Sequence, residues 1–383
     1  MSTRICPECE ARTEWALCPE CGTRTILDMC QSEVVVDPLL GLVLDGRYRI
    51  DSLLGAGGMG AVYKATQVAM NKVVAVKIVK PELSAQMESV KRFHREAKAA
   101  SLLSHPHSIR VFDFGQADNG TLFMVMEYVA GTSLRQLMKA EGRLTLARAV
   151  KIGTEVAQAL VEAHERDLIH RDMKPENVML EAVPGDPDFV KVLDFGIAKF
   201  LSGTSVRSAL TETGEVIGTP YYMAPEQARA ERNLTKAVDV YSFGVVLYEM
   251  LVGDVPFGGD TPLEIMMAHA ANPVPEITPE QVPSLAVRGL LVRMLDKEPG
   301  ARPDIQEVHR VLELANQGEK AKAFISSTSE RSVLEAVTKR GLKPTRSDLA
   351  ATRADTPLAA VPAGHRRGWA WALTGAGVLA AVG

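Results

Sequence analysis

Residues 168–180, LIHRDMKPENVML, set His170, Arg171, Asp172, Lys174, Glu176 and Asn177 between apolar flanks. Burying such groups unpaired is costly, so the segment is either a solvated turn between core elements or a place where polar side chains converge on something charged. Two more stretches bear on that choice. GAGGMGAV holds Gly55, Gly57 and Gly60 at G-x-G-x-x-G spacing, with Val62 two residues on. A glycine loop between two strands can lay its backbone N–H groups over phosphates, because no side chain blocks close approach, and Val62 would then cover one face of a base. A dinucleotide fold needs a strand followed directly by a helix, which this context does not offer. In VAVK, Lys77 sits on a strand whose neighbours Val76 and Ile78 point to the opposite face. Glu96 falls at the margin of the inward face of the next helix. Paired with it, Lys77 would be held toward phosphate oxygens; taken separately, both charges read as surface residues.

The amino end offers a different chemistry. CPEC at Cys6 and Cys9 and CPECG at Cys18 and Cys21 form two C-x-x-C knuckles a short loop apart. Four thiolates so paired suit tetrahedral zinc, which can fold a peptide too small to build its own core. The first knuckle carries Glu10 where the second has Gly22, so its turn is less ideal. A redox C-x-x-C would need a surrounding βαβ pattern, and none is present. All five cysteines lie in the first thirty residues, Cys30 reading as a free thiol, whereas a disulfide-stapled fold would spread them along the chain.

The elements that must position these residues follow from periodicity. YRIDSLL, AVYKATQ and KVVAVKIV read as strands separated by Gly-rich or polar breaks, an antiparallel meander. SVKRFHREAKAASLL brings Val90, Phe93, Ala97 and Ala100 to one helical face, and TLFMVMEYV returns to a strand. Beyond Gly131 the periodicity is mainly helical, as in LARAVKIGTEVAQALVEAHE and DVYSFGVVLYEML. A small sheet-rich lobe therefore precedes a larger helical one. With 383 residues, 46% of them hydrophobic, the chain can bury a sizeable core. Its 43 Lys and Arg against 47 Asp and Glu leave a net charge of −4 with no long block of one sign, so nucleic acid is not an expected partner.

Taken in order, GAGGMGAV, VAVK, HRDMKPEN, LDFG with Asp194 and Gly196, APE at Ala224, Pro225 and Glu226, and a late Arg302 resemble the eukaryotic-like (Hanks-type) protein kinases of bacteria, over roughly Tyr48 to Gln317. The resemblance implies an α+β, bilobal protein kinase fold, with a small β-rich N-lobe and a large α-helical C-lobe. By the same resemblance, Asp172 would accept or orient the proton of an attacking hydroxyl, and Asn177 and Asp194 would hold the Mg²⁺ ions that bridge ATP phosphates. Lys174 would neutralise charge on the transferring group and Lys77 the α- and β-phosphates. Glu127 and Val129 would bond the base through their backbones, with Met126 as gatekeeper and Ala75 and Met179 also in the nucleotide site. His170 would pack beneath Phe195, and Thr219 would contact Asp172 and Lys174. Glu226 and Arg302 would form a buried ion pair. Lys174 and the GTPYYMAPE run match Ser/Thr-directed members. Arg171 before Asp172 marks an activation loop ordered by phosphorylation, for which Thr211 and Thr213 are the expected sites.

The division expected is a zinc ribbon over 1–30, a connector over 31–45, a kinase domain over 46–316, a flexible linker over 317–365 and a membrane-entry segment over 366–383. In the linker, SERSVLEAVTKRGLKP could form a short helix that docks through Val333, Leu334 and Val337. No apolar stretch follows the first residues as in a signal peptide, so the amino end is expected in the cytoplasm. Arg366 and Arg367 precede an uncharged run of about fifteen residues from Trp369, short of the roughly 20 that a spanning helix needs. That run reads as part of a spanning helix, as an interfacial anchor tethering the kinase to the inner membrane, or as an Ala/Gly tail in solution. Expected partners are proteins bearing Ser or Thr, and a second copy of the chain for autophosphorylation. The rival class is a nucleotide-binding pseudokinase that acts as a scaffold through protein interactions; the intact Asp172 and Asp194 speak against it. The APE segment and Arg302 disfavour a small-molecule phosphotransferase on a related fold.

Overall fold

The computed structural model describes residues 4–9, 11–13, 15–27, 37–57, 60–80, 87–117, 120–195, 220–231 and 233–318. The expected sites Thr211, Thr213 and Thr219, the thiol of Cys30, the linker helix and the segment 366–383 lie outside these residues. Among the described residues no helix is long and apolar enough to cross a membrane.

The chain opens on a miniature antiparallel sheet of three two-residue strands, β1 (Arg4–Ile5), β2 (Arg12–Thr13) and β3 (Ile26–Leu27), in the order β2-β1-β3. It then enters a six-stranded sheet made of β4 (Val43–Leu44), β5 (Tyr48–Gly57), β6 (Gly60–Gln67), β7 (Lys72–Val79), β8 (Val111–Gln116) and β9 (Leu122–Glu127), in the order β4-β5-β6-β7-β9-β8. The β5-β6-β7 meander is the one expected. β4 pairs with β5 through Val43↔Arg49 and Leu44↔Tyr48, so the sheet reaches back into the stretch read as connector. Leu39 and Leu44 pack on one face of the sheet, and the Tyr63 hydroxyl donates to Asp37 at 2.7 Å. Apolar burial and a satisfied phenol thus fix residues whose composition alone reads as a link.

The helix α1 (Met87–Ala100) covers the opposite face, burying Phe93, Ala97 and Ala100 at the expected spacing against Ala75, Met124 and Met126. Gly60 shows why glycine stands at the start of β6: a Cβ there would lie 2.0 Å from the Ile78 carbonyl oxygen of β7. Any side chain would force the two strands apart and lift the glycine loop.

The larger lobe starts with β10 (Gly131–Ser133), β11 (Val178–Val183) and β12 (Asp186–Val192), a small antiparallel sheet. Its helices are α2 (Leu134–Glu141), α3 (Leu146–Glu165), α4 (Pro225–Ala228), α5 (Ala237–Val252), α6 (Pro262–Ala271), α7 (Leu285–Met294) and α8 (305–318). Local chemistry explains the helix starts. Ser133 and Gln136 form a capping box on α2, and the hydroxyls of Thr145, Thr261 and Ser284 accept N–H groups at the starts of α3, α6 and α7. Helix α5 is apolar nearly all round and buried from Val238 to Leu251, as a central core helix must be. Gly244 lets it approach α7 closely, since a Cβ there would come within 2.9 Å of the Met294 Cβ.

An arginine–glutamate ion pair lies inside this lobe. Arg302 grips both Glu226 oxygens, at 2.7 and 2.9 Å, with the two side chains 0% and 3% exposed. The remaining guanidinium hydrogens donate to the carbonyls of Asp296, Ala237 and Lys297, so the charge is fully bonded. Losing one partner strands the other in a dry site. We expect Arg302→Met to lower the free energy of unfolding by about 3–5 kcal/mol in urea titration. Arg293→Ala, which breaks an exposed pair with Glu307, should cost under about 1 kcal/mol.

Candidate active site

The loop after α3 is held from below by Asp239, the third residue of α5. Its wholly buried carboxylate accepts the backbone N–H of His170 at 2.8 Å and of Arg171 at 2.7 Å, and bonds the His164 ring at 2.8 Å. Burial alone would raise the Asp239 pKa, but the bond and charge of His164 and the N–H of Arg171 hold it below the ordinary carboxylate range. Arg171 has φ of +64°, outside the usual region for a side-chain-bearing residue, and the two bonds across it fix that turn. The His170 ring donates to the Leu193 carbonyl at 2.7 Å and packs against Phe195 with centroids 5.0 Å apart, as expected.

On this base the polar side chains converge. Lys174 Nζ donates to Asp172 Oδ2 at 2.7 Å, and the Asn177 amide donates to the Asp172 carbonyl at 2.7 Å. The Leu193 N–H bonds the Asn177 carbonyl at 2.8 Å, which carries the chain directly to Asp194. Asp194, also at positive φ, pairs with Lys77 Nζ at 2.8 Å. Desolvation would raise the Asp194 pKa, yet Lys77 above all, then His170 and Lys174, keep it lowered and the group ionised. Lys174 is raised, since the attraction of Asp172 outweighs its burial. The opening segment is therefore no mere solvated turn. It supplies one carboxylate beside an ammonium and, with β12, two oxygen groups that could hold a hard cation. The Asn177 amide spends its NH₂ on Asp172, so its oxygen is the atom turned away from that residue.

Glu96 departs from expectation. It is buried on α1, 8% exposed, yet it faces Arg95 at 3.3 Å and also favours the charge of Arg171. Among the described residues Lys77 pairs with Asp194 and not with Glu96. The nearer carboxylate takes the single ammonium of Lys77, while Glu96, too buried to lack a counter-charge, is compensated by arginines.

Above the loop, Gly55 and Gly57 lie on β5 and Gly60 on β6, in register Gly55↔Val62 and Gly57↔Gly60. Val62, Ala75, Met126, Val129 and Leu193 belong to one apolar cluster beneath them, a wall suited to a flat base. Met179, half-buried on β11, stands opposite Lys191 of β12. The Glu127 N–H donates to the Arg110 carbonyl at 2.9 Å, and its side chain reaches Lys191.

Two features escaped the sequence reading. Asp239 entered it only as the first residue of the helical run DVYSFGVVLYEML, although a carboxylate in so apolar a run is itself a signal of a buried anchor. The other is Arg135 of α2. It bonds Glu176 at 2.9 Å, Glu249 at 2.6 Å and the Tyr222 hydroxyl, joining the loop to α5 and to the segment at 220–231. Nothing local in LRQLM announces that role.

The cysteines form a separate centre. The Sγ atoms of Cys6, Cys9, Cys18 and Cys21 all lie within 4.8 Å of one another, with separations of 3.3 Å for Cys6 and Cys21 and 3.4 Å for Cys9 and Cys18. A metal with sulfur bonds of about 2.3 Å needs tetrahedral edges near ~3.8 Å, so the set fits zinc. Backbone bonds from Cys6 N–H to Ala11 and from Cys18 N–H to Thr23 close the two knuckles, and Gly22 takes the positive φ of the second.

Comparison with known proteins follows the same geometry. The family described as the protein kinase domain matches residues 48–311. Over 277 residues, 72% of this chain and 50% of the relative, the sequence is 45% identical to serine/threonine-protein kinase pkn3 of Myxococcus xanthus. It is 40% identical over 271 residues to PknA of Mycobacterium tuberculosis, covering 70% of this chain and 60% of that one. The solved PknI kinase domain of Mycobacterium tuberculosis superposes with a TM-score of 0.55 at 28% identity, covering 72% of this chain and 98% of that one. The chain thus spans half to three fifths of the length of these curated relatives.

The anchor can be tested alone. Asp239→Asn removes a charge that three donors share and should cost roughly 3 kcal/mol or more in chemical denaturation. The depressed Asp239 contributes its stability in full above the ordinary carboxylate range near ~4 and loses it as pH falls through the lower folded value. The difference between wild type and variant should therefore shrink progressively below pH of about 4.

Proposed function

This chain belongs to the protein kinase family, and on that premise we propose that it transfers the γ-phosphoryl group of ATP to Ser and Thr hydroxyls of proteins, as a non-specific serine/threonine kinase of the bacterial type. The observation that carries the reading is the convergence of Asp172, Lys174, Asn177, Asp194 and Lys77 in one connected set. A scaffold has no need of it.

Bound Mg-ATP supplies the phosphoryl group and the cations that screen it; the chain's residues do the positioning. Asp172 accepts the proton of the incoming hydroxyl, its Oδ2 already oriented by Lys174. The Lys174 ammonium, within reach of Asp172 and of the field of Asp194, offsets negative charge as it passes to the acceptor. Asn177 and Asp194 present the oxygens for magnesium, and Lys77 shares its charge between Asp194 and the phosphates. The N–H groups of the 55–60 loop cover those phosphates, and the wall of Val62, Ala75 and Met126 takes the base, whose edge meets the backbone of Glu127 and Val129. Thr219 steadies Asp172 and Lys174, and Glu96 supports Lys77 once the helix bearing it turns.

The four cysteines hold a structural zinc. In the same reading, Thr211 and Thr213 are phosphorylated by a second copy of the chain, and the basic, Trp-flanked segment at 366–383 tethers a cytoplasmic kinase to the membrane. Protein substrates are the partners this chemistry serves.

Phosphosite mass spectrometry of the chain with Mg-ATP, beside Asp172→Asn, tests the activity. Phosphate on Thr211 or Thr213 in the wild type is expected, with the variant slower by roughly a hundred- to ten-thousandfold. No phosphate on either protein, with nucleotide still bound, would return the scaffold reading. For the ribbon, elemental analysis should find one zinc per chain, and Cys18→Ser should lose it while leaving the kinase domain folded; full retention of the metal would refute the site.

A further inference from the structure

Lys191 stands on β12, three residues before Asp194. Its ammonium donates to both carboxylate oxygens of Glu127, at 2.8 and 3.0 Å. Glu127 Oε1 also accepts the Arg110 N–H at 2.9 Å, and the Glu127 N–H donates to the Arg110 carbonyl at the same distance. Glu127 is thus held at the peptide that precedes it and at its side chain together, which fixes the Cα from which its own carbonyl projects. The side chains of Lys191 and Glu127 are 13% and 24% exposed, so the pair is only partly open to screening by salt. It joins the strand end that closes the base site to the strand that delivers Asp194.

We infer that Lys191 is a positioning residue: by clamping the Glu127 carboxylate it fixes the peptide that meets the purine edge, and so sets the preference for adenine over guanine nucleotides. This deepens the nucleotide-binding reading above and rests on it. Adenine offers an amine donor where guanine offers a carbonyl acceptor. A backbone carbonyl held in place favours the first and repels the second. With Glu127 unclamped, the peptide that follows it could rotate and turn the Tyr128 N–H toward the second, and the distinction would fade.

Titration calorimetry of the full chain with Mg-ADP and with Mg-GDP tests this, using wild type, Lys191→Met, Glu127→Gln and the double variant. The wild type should prefer ADP. Lys191→Met should weaken ADP about fivefold and narrow the ADP-to-GDP ratio, as expected for loss of one partly buried pair. Glu127→Gln should narrow the ratio similarly, and the double variant should go no further. A variant that loses folded protein loses both nucleotides alike, so the ratio isolates the clamp. An unchanged ratio in Lys191→Met, or fully additive effects in the double variant, overturns the inference while the nucleotide site stands. Wild type that binds neither nucleotide overturns both.

Discussion

Everything at the active site rests on one buried carboxylate. Asp239 lies wholly inside the large lobe on a largely apolar helix, where an ionised group survives only if its lone pairs are bonded. Its donors are the two peptide N–H groups of the catalytic loop and the His164 ring. The cost of burying that charge is therefore offset only when the loop takes its one shape, including the positive φ at Arg171. From there the order passes upward through His170 to Leu193 and so to Asp194. Core packing and chemistry are the same constraint seen from two sides.

The rim is organised differently. Arg135 spans Glu176, Glu249 and Tyr222, and Gln227 donates to the Arg171 carbonyl at 3.0 Å. These contacts tie residues 220–231 to the loop that bears Asp172. Lys77 and Glu96 do not pair with each other. Lys77 is paired with Asp194, and Glu96 with Arg95.

Much of this was legible beforehand, for a physical reason. The glycine loop, VAVK and HRDMKPEN are each a contiguous run, so within each one backbone geometry alone places its residues near one another. Helix α1 could be read from Phe93, Ala97 and Ala100 because burial of one face repeats with the helical turn. Strand β8 could not: VFDFGQ lies at the sheet edge and buries only Val111 fully, so it lacks a clear alternation. The choice of partner for Glu96 depends on how α1 is rotated against the sheet, which no periodicity specifies. Arg135 reaches Glu249 across 114 positions and Lys191 reaches Glu127 across 64, contacts that exist only after the lobes have folded. The cysteine centre sits at the other extreme, since its ligands are four residues within a span whose fold they themselves define.

The bond from His170 to Asp239 crosses 69 positions of the chain. A ribosome releases the amino end first, so the meander of the small lobe, built from neighbouring strands, can settle while the large lobe is still being made. The catalytic loop has emerged by then but has no anchor. Until α5 follows it and finds its place against α3 and α7, the loop has nothing to define its turn. A chain at that stage has the strands of its small lobe paired while the loop bearing Asp172 still lacks the carboxylate that shapes it. Order of synthesis thus makes the loop of Asp172 one of the last parts of the site to take its shape.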